Sequence, residues 1–349
     1  MSNALALKLT EKGLLPDTIV RQGIRRLLKK RLKEINQFAV PELATYIKAF
    51  SNKMRHSPVA VLTDKANEQH YEVPAAFFNR VLGAYNKYSC GYWPADTDDL
   101  DDAEKSALEL TCQRAKLNNG QQVLELGCGW GSLTLFMAER YPDSEITAVS
   151  NSASQAAFIR QQANNRGLKN LTIITADVSV FDIDEKFDRI VSVEMFEHMR
   201  NHERLYARIN HWLKADGLFF KHIFVHHSIP YLFEDKHDSD WMARFFFSGG
   251  MMPSYDLPKV FDRDLQLIDQ NKINGRHYEK TANAWLRNMD NAKADLWPLF
   301  EEVYGKDFAG VWWQRWRVFF MACAELFGFD HGREWFVGHY LFKKVSAGA

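Results

Sequence analysis

Val123-Leu124-Glu125-Leu126-Gly127-Cys128-Gly129-Trp130-Gly131 decides the fold. A short apolar run leads into three glycines at alternate positions, and Ser132–Arg140 behind them is patterned as a helix. Strand, glycine-rich turn and helix start are what a nucleotide-like cofactor needs. Glycine lets the backbone turn tightly and approach a ligand with no side chain in between. By itself the G-x-G-x-G spacing also fits dinucleotide binders. Further along, Glu194-Met195-Phe196-Glu197-His198-Met199 points to the kind of site.

Outward from this turn, strands and helices alternate. The pattern predicts strands at 123–126, 145–149, 171–175, 187–193 and 218–225, with helices at 132–140, 154–166 and 202–213. Gly167 closes the second of these helices, and Asp216-Gly217 is predicted to turn the chain into the fifth strand. Such repetition predicts a doubly wound, mostly parallel α/β sheet, whose ligands lie beyond the carboxyl ends of its strands. The candidate site stretches are therefore Gly127–Gly131, Ser150–Ser152, Asp177–Val178 and Glu194–His198, with His222 in strand five as a further candidate. A dinucleotide fold wants an acid about 20 residues past the glycines. Ser150-Asn151-Ser152 and Gln155 stand there instead, so the NAD fingerprint is broken while polar groups suited to a ribose remain. Asp177 is placed either to accept from an adenine amino group or to cap a helix.

The chain has 349 residues, enough for one large domain or two. Lys plus Arg and Asp plus Glu balance at 44 each, which removes any global electrostatic case for a nucleic-acid partner. No apolar run reaches the ~18 residues of a membrane span. Lys8, Glu11 and Lys12 interrupt any signal-peptide core. Cys90, Cys112, Cys128 and Cys323 show no C-x-x-C spacing, which predicts reduced thiols in a cytoplasmic protein.

Leu15-Pro16-Asp17 opens a basic amphipathic helix over 19–36, with Val20, Ile24, Leu27, Leu28, Leu32 and Ile35 at helical spacing. It reads either as a membrane-surface helix or as a helix docked on the protein with a solvated basic face. Tyr88-Ser89-Cys90-Gly91-Tyr92-Trp93 is a loop dense in side chains common at sites and equally common in packed loops. Residues 226–290 read as an insertion whose aromatic, glycine-rich flap (Arg244–Ser254) suits closure over a ligand. Trp285, Trp297, Trp312, Trp313 and Trp316 lie on helical patterns after Thr281. They serve as core, or as an apolar lid over a bulky or cationic ligand.

Glu194 and His198 are four apart, so a helix after strand four would put them on one face. A carboxylate beside an imidazole is a general-base arrangement. A metal centre among Glu194, Glu197, His198, His222, His226 and His227 is the rival reading, without an HExxH or paired C-x-x-C to support it.

V-L-E-L-G-C-G-W-G, A-V-S-N-S-A-S-Q, F-D-R-I-V-S-V-E-M-F-E-H-M, R-F-F-F-S-G-G-M-M-P-S and the ending A-E-L-F-G-F…E-W-F-V-G-H-Y-L-F-K-K are specific in combination. From Leu14 to Lys344 the chain resembles the S-adenosylmethionine (SAM)-dependent methyltransferases of the cyclopropane-fatty-acid synthase superfamily, and within it the coclaurine N-methyltransferase branch. The resemblance implies a Rossmann-like class I methyltransferase sheet. It implies an N-terminal helical cap (1–118), a SAM-binding core (119–228), and a substrate lid insertion with helices and final strands (229–349). It puts Gly127, Gly129 and Gly131 beneath the methionine part of SAM, Asn151 and Gln155 near the ribose, Asp177 and Val178 near the adenine, and Tyr88 and Ser89 close by. It makes Glu194, Glu197 and His198 the catalytic and amine-binding residues. In the lipid enzymes the positions matching Cys90, Glu197, His222 and Tyr278 hold a bicarbonate. All four occur here, but Glu194 stands where the lipid enzymes usually carry glycine, which favours the amine branch.

The expected function is SAM-dependent N-methylation of a small aromatic or cyclic amine. Methyl or methylene transfer to unsaturated lipid acyl chains and a non-catalytic SAM-binding scaffold are the alternatives. Expected partners are the amine alone, without nucleic acid or metal. Peripheral membrane contact through helix 19–36 and a homodimer are further options.

Overall fold

A computed structural model describes residues 3–37, 41–61, 74–236 and 240–345. The run His70-Tyr71-Glu72-Val73 lies outside the described residues. The apolar stretches form β1 (Gln122–Leu126), β2 (Glu145–Ser150), β3 (Leu171–Thr175), β4 (Phe187–Val193), β5 (Leu213–His226), β6 (Tyr231–Leu232), β7 (Met251–Met252), β8 (Leu265–Ile273) and β9 (Trp335–Lys344). Seven of them make one sheet in the order β3-β2-β1-β4-β5-β9-β8. β1 to β5 pair in parallel, while β9 runs antiparallel between β5 and β8. This is the doubly wound, mostly parallel sheet expected from the sequence, with the Rossmann-like strand order that the resemblance implies. Its strand order reverses between β1 and β4, which opens a crevice at their carboxyl ends.

Alternation along the strands sends neighbouring side chains to opposite faces. Val123, Val191 and Phe220 pack under helices Leu100–Arg114 and Ser132–Arg140. Leu124, Ile190 and Phe219 pack under helices Glu42–Arg55 and His202–Trp212. Side-chain caps start the helices where the sequence offers them. Asn201 accepts from the Arg204 N–H at 3.0 Å, and Asn274 accepts from the Arg276 N–H at 2.9 Å.

Strand five starts at Leu213, earlier than the expected Leu218. Leu213 already pairs with Phe187, and the ladder shifts register before Leu218 meets Arg189. Asp216-Gly217 is thus absorbed into a strand irregularity instead of preceding the strand.

The aromatic-rich segments form helices Gly275–Asn291, Lys293–Tyr304 and Lys306–Gly328. Trp285, Trp313, Trp316, Phe319 and Phe320 are buried core residues among them. The basic helix (Asp17–Ile35) docks on this layer. Val20 and Ile35 are buried, Ile24, Leu28 and Leu32 pack partly against the same core, and Arg21 pairs with Glu325 at 3.0 Å. Arg317 ties the assembly by bridging Asp17 and Asp290, each at 2.7 Å. Most of the apolar stripe is therefore occupied by protein, while Leu27 stays exposed beside Arg25, Arg26, Lys29, Lys30 and Lys33. Among the described residues no helix is long and apolar enough to cross a membrane. All four cysteines are unpaired.

Trp285 joins this layer to the site, since its ring contacts Tyr88, Tyr278 and Phe320. Trp285→Ala is expected to destabilise the protein by about 3–5 kcal/mol, the usual range for emptying a buried aromatic position. Chemical denaturation of the variant beside the wild type checks this.

Candidate active site

The crevice at the carboxyl ends of β1, β2, β3 and β4 is a pocket lined by Gly127, Gly129, Asn151, Gln155, Asp177 and Val178. Glu194 and His198 line its other side. Gly129 sits at φ +51°, and a Cβ added there meets no atom within 4 Å, so it would project into open space. Gly131 serves differently. At φ +79° it stands just before helix Ser132–Arg140, and an added Cβ would lie 2.6 Å from Ile159. It permits close helix packing and does not line the pocket surface.

Gln155 is nearly fully buried. Its Oε1 accepts from Ser150 Oγ at 3.0 Å, while its Nε2 has no partner among the described residues. A buried donor left open in this way suits a ligand hydroxyl. Asp177 lines the pocket and also accepts from the Ser179 N–H at 2.7 Å, so its carboxylate has a turn-stabilising role as well. Open glycine backbone, an unfilled amide donor and an acid spaced along three strand ends fit SAM. Tyr88 and Ser89 belong to the neighbouring loop. Tyr88 packs edge-on to Phe78, and Ser89 accepts from Lys87 Nζ.

Glu194 does not begin a helix. It follows β4 at φ +48°, a left-handed conformation uncommon for a non-glycine residue, and only a short 3-10 turn follows at Phe196–His198. Its N–H donates to the His222 carbonyl at 2.9 Å. Glu194 and His198 therefore do not share a helix face. The imidazole paired with Glu194 is His222, whose Nε2 lies 3.1 Å from Glu194 Oε1. The same oxygen accepts from the Cys90 N–H at 3.0 Å, and Oε2 accepts from the Tyr278 hydroxyl at 2.7 Å. Cys90, His222 and Tyr278 are thus gathered around one carboxylate. Burial pushes the Glu194 carboxyl upward, but the His222 bond, nearby Lys87 and the Cys90 N–H hold it below its ordinary value.

Glu197 behaves oppositely. Burial, and then the Glu194 charge, push it well above the usual carboxylate range. Its Oε1 accepts from the Phe224 N–H at 2.7 Å, and its Oε2 has no hydrogen-bond partner among the described residues. His198 stacks on Phe247 of the flap, with ring centroids 4.8 Å apart and planes 15° from parallel. Burial lowers its pKa to about 4, against the pull of Glu194, so the ring is neutral at pH 7. Ser248, next in the flap, lines the pocket, and Arg200 holds the Gly249 carbonyl at 2.8 Å.

The residues weighed for a metal do not converge as a set. Among the described residues, His226, His227 and Glu334 form the one cluster of three potential ligands. His226 Nδ1 accepts from the N–H groups of Ser228 and Ile229, at 3.1 and 2.9 Å. The ring hydrogen is therefore on Nε2, facing Glu334 at 2.9 Å, and no lone pair is left for an ion.

A profile of the mycolic acid cyclopropane synthetase family matches residues 61–332. The chain belongs to that family. Over 342 residues, 97% of this chain and 95% of the relative, it is 35% identical to (S)-coclaurine N-methyltransferase of Thalictrum flavum subsp. glaucum. It is 31% identical to the cyclopropane-fatty-acyl-phospholipid synthase of Escherichia coli (strain K12), over 74% of this chain and 63% of that one. The crystal structure of coclaurine N-methyltransferase bound to N-methylheliamine and SAH superposes with a TM-score of 0.95 at 34% identity. It covers 98% of this chain and 99% of that one. Within the mycolic acid cyclopropane synthetase family this chain therefore matches an N-methyltransferase over almost its whole length, and a lipid enzyme over less.

The expected strand-end stretch Glu194–His198 already contained the pocket residue Met195, and the flap contained Ser248. Sequence reasoning missed Val61 as a pocket residue, Lys87 behind Cys90, and the pair Arg114 and His339 behind His222.

The two glycines separate in a test. Gly131→Ala, strained by φ and by Ile159, is expected to lose about 1–3 kcal/mol of stability. Gly129→Ala is expected to cost less stability yet weaken SAH binding by at least about tenfold, or about 1.4 kcal/mol. Thermal melting and titration calorimetry check both.

Proposed function

We propose that the protein transfers the methyl group of SAM to the nitrogen of a cyclic or aryl-ethyl amine, with Glu194 and His198 as the residues that receive the amine. One observation carries the amine reading. The Glu194 carboxylate takes up the donors of Cys90, His222 and Tyr278, and it does so on the wall of the cofactor pocket. The resemblance gives those donors a bicarbonate in the lipid enzymes. Here a side chain of the protein supplies the anion.

SAM, when bound, supplies an electrophilic methyl on a cationic sulfur, and the amine lone pair takes it while positive charge moves to nitrogen. Gln155 Nε2 and Asn151 would hold its ribose, and Asp177 with Val178 its adenine, a reading supported by their place on the pocket wall and by the open Gln155 donor. Glu194, kept ionised although buried, attracts an ammonium substrate and favours a cationic product. An ammonium must lose a proton before it can attack; His198 faces the pocket, and although burial weakens it as a base, the Glu194 charge favours the imidazolium it would become. Phe247 covers the His198 ring, which keeps bulk water from that face and strengthens the field of Glu194. Glu197, with its unpartnered oxygen, adds a second carboxyl beside them.

Methyl transfer from labelled SAM tests this, with heliamine in one arm and vesicles of unsaturated phospholipid in the other. Label is expected in the amine, and label in lipid would overturn the reading. Glu194→Gln and His198→Ala are each expected to lower kcat by about 100-fold or more, the scale of a lost electrostatic or general-base group. SAH affinity is expected to stay near the wild-type value in both.

A further inference from the structure

We infer that Arg114 and His339 are positioning residues of this site, linked through His222 into a hydrogen-bond chain of fixed polarity that ends on Glu194. The inference rests on the amine-methylation reading. Arg114 Nη1 lies 2.8 Å from His339 Nδ1, His339 Nε2 lies 2.9 Å from His222 Nδ1, and His222 Nε2 lies 3.1 Å from Glu194 Oε1.

A guanidinium only donates. His339 Nδ1 must therefore accept, which puts the His339 hydrogen on Nε2. His222 Nδ1 must accept that hydrogen, which puts the His222 hydrogen on Nε2. Every N–H in the chain then points toward the Glu194 carboxylate. A second proton on either ring would set two donors against each other, so both rings are locked neutral. Their burial works in the same direction. It drives His339 well below its ordinary pKa, with His222 and Arg114 adding to the effect, and it lowers His222 against the pull of Glu194.

The fold builds this chain from three separate elements. His222 on β5 and His339 on β9 are direct partners in the antiparallel ladder. Arg114 is the last residue of helix Leu100–Arg114. The edge of the Phe220–His339 contact, with centroids 5.1 Å apart, braces the second ring. His339 is 4% exposed, a place where packing alone would favour an apolar side chain. Neither Arg114 nor His339 lines the cofactor pocket. Their effect on chemistry passes through His222, which they hold in the tautomer and orientation that donates to Glu194.

The other titratable groups facing Glu194 are Lys87 and Cys90 from the preceding loop, Glu197 and His198 from the 3-10 turn, and Tyr278 and Cys323 from the helical layer. Lys87 is the other cation among them and keeps its own acceptors, Ser89 Oγ and the Cys90 carbonyl. Removing the Arg114–His339 arm therefore weakens the donor side of Glu194 without removing every positive charge. His222 Nδ1 is then free to take a second proton, so the Glu194–His222 pair no longer titrates as in the wild type and the acid limb of kcat/KM shifts.

The test uses the full chain with SAM and heliamine, in four forms: wild type, Arg114→Met, His339→Leu and His339→Gln. Arg114→Met and His339→Leu are expected to lower kcat by about 10- to 100-fold, as for other residues that orient a catalytic group. The acid limb is expected to shift by about one unit, while SAH binding stays unchanged. Gln accepts through Oε1 and donates through Nε2, so His339→Gln is expected to recover most of the activity. A folded His339→Leu variant with wild-type kcat and pH profile would overturn the inference. So would a Gln variant as impaired as the Leu one, because packing and not polarity would then be at stake. Ring-nitrogen NMR of the SAH-bound protein reads the tautomers without any turnover. Nε2–H on both neutral rings at pH 7 is expected, and an imidazolium or an Nδ1–H form overturns the chain. If the expected tautomers appear while heliamine goes unmethylated, the chain stands and the amine reading falls.

Discussion

A carboxylate held charged inside a protein must find donors to replace the water it has lost. Glu194 meets this requirement with three: a backbone N–H at Cys90, an imidazole at His222 and a phenol at Tyr278. These donors come from the loop before helix Leu100–Arg114, from β5, and from helix Gly275–Asn291. The carboxylate is properly solvated only when the N-terminal segment, the sheet and the C-terminal helices are assembled together. That makes the site a property of the whole fold and not of its glycine-rich core.

The sheet makes the convergence possible. Parallel strands β1 to β5 present their carboxyl ends on one side, and the reversal between β1 and β4 opens the crevice there. Glu194 leaves β4 in a left-handed conformation, and its own N–H is anchored to the carbonyl of His222. Backbone and side chain thus grip the same neighbouring residue. The antiparallel return of β9 beside β5 does more than extend the sheet, because its register sets His339 opposite His222.

Two histidines of the site have different surroundings. His222 is enclosed by polar partners and faces Glu194, whereas His198 lies against Phe247 and faces the pocket. The aromatic helices behind them keep the surroundings dry. Trp285 touches both Tyr88 and Tyr278, and Tyr278 stacks on Phe327 with centroids 4.2 Å apart. In such surroundings a single charge acts strongly, which is why ionised Glu194 and its high-pKa neighbour Glu197 behave so differently only three residues apart.

Local pattern alone determined the core. Apolar runs of strand length, glycines at the first turn and helical periodicity between them specified β1 to β4 and the position of the cofactor crevice. These features depend on near neighbours in the chain. Tertiary structure decided the rest. A left-handed residue at Glu194 cut the expected helix, so spacing of four no longer meant a shared face, and the carboxylate turned to His222 instead of His198. Strand five began at Leu213 because Phe187 was there to pair with it. Arg114 and His339 carried no motif, since a hydrogen bond between residues 225 positions apart leaves no periodic trace. Their meeting is set by strand register and helix placement, which exist only once the sheet has closed its ladder and the helix has packed against it.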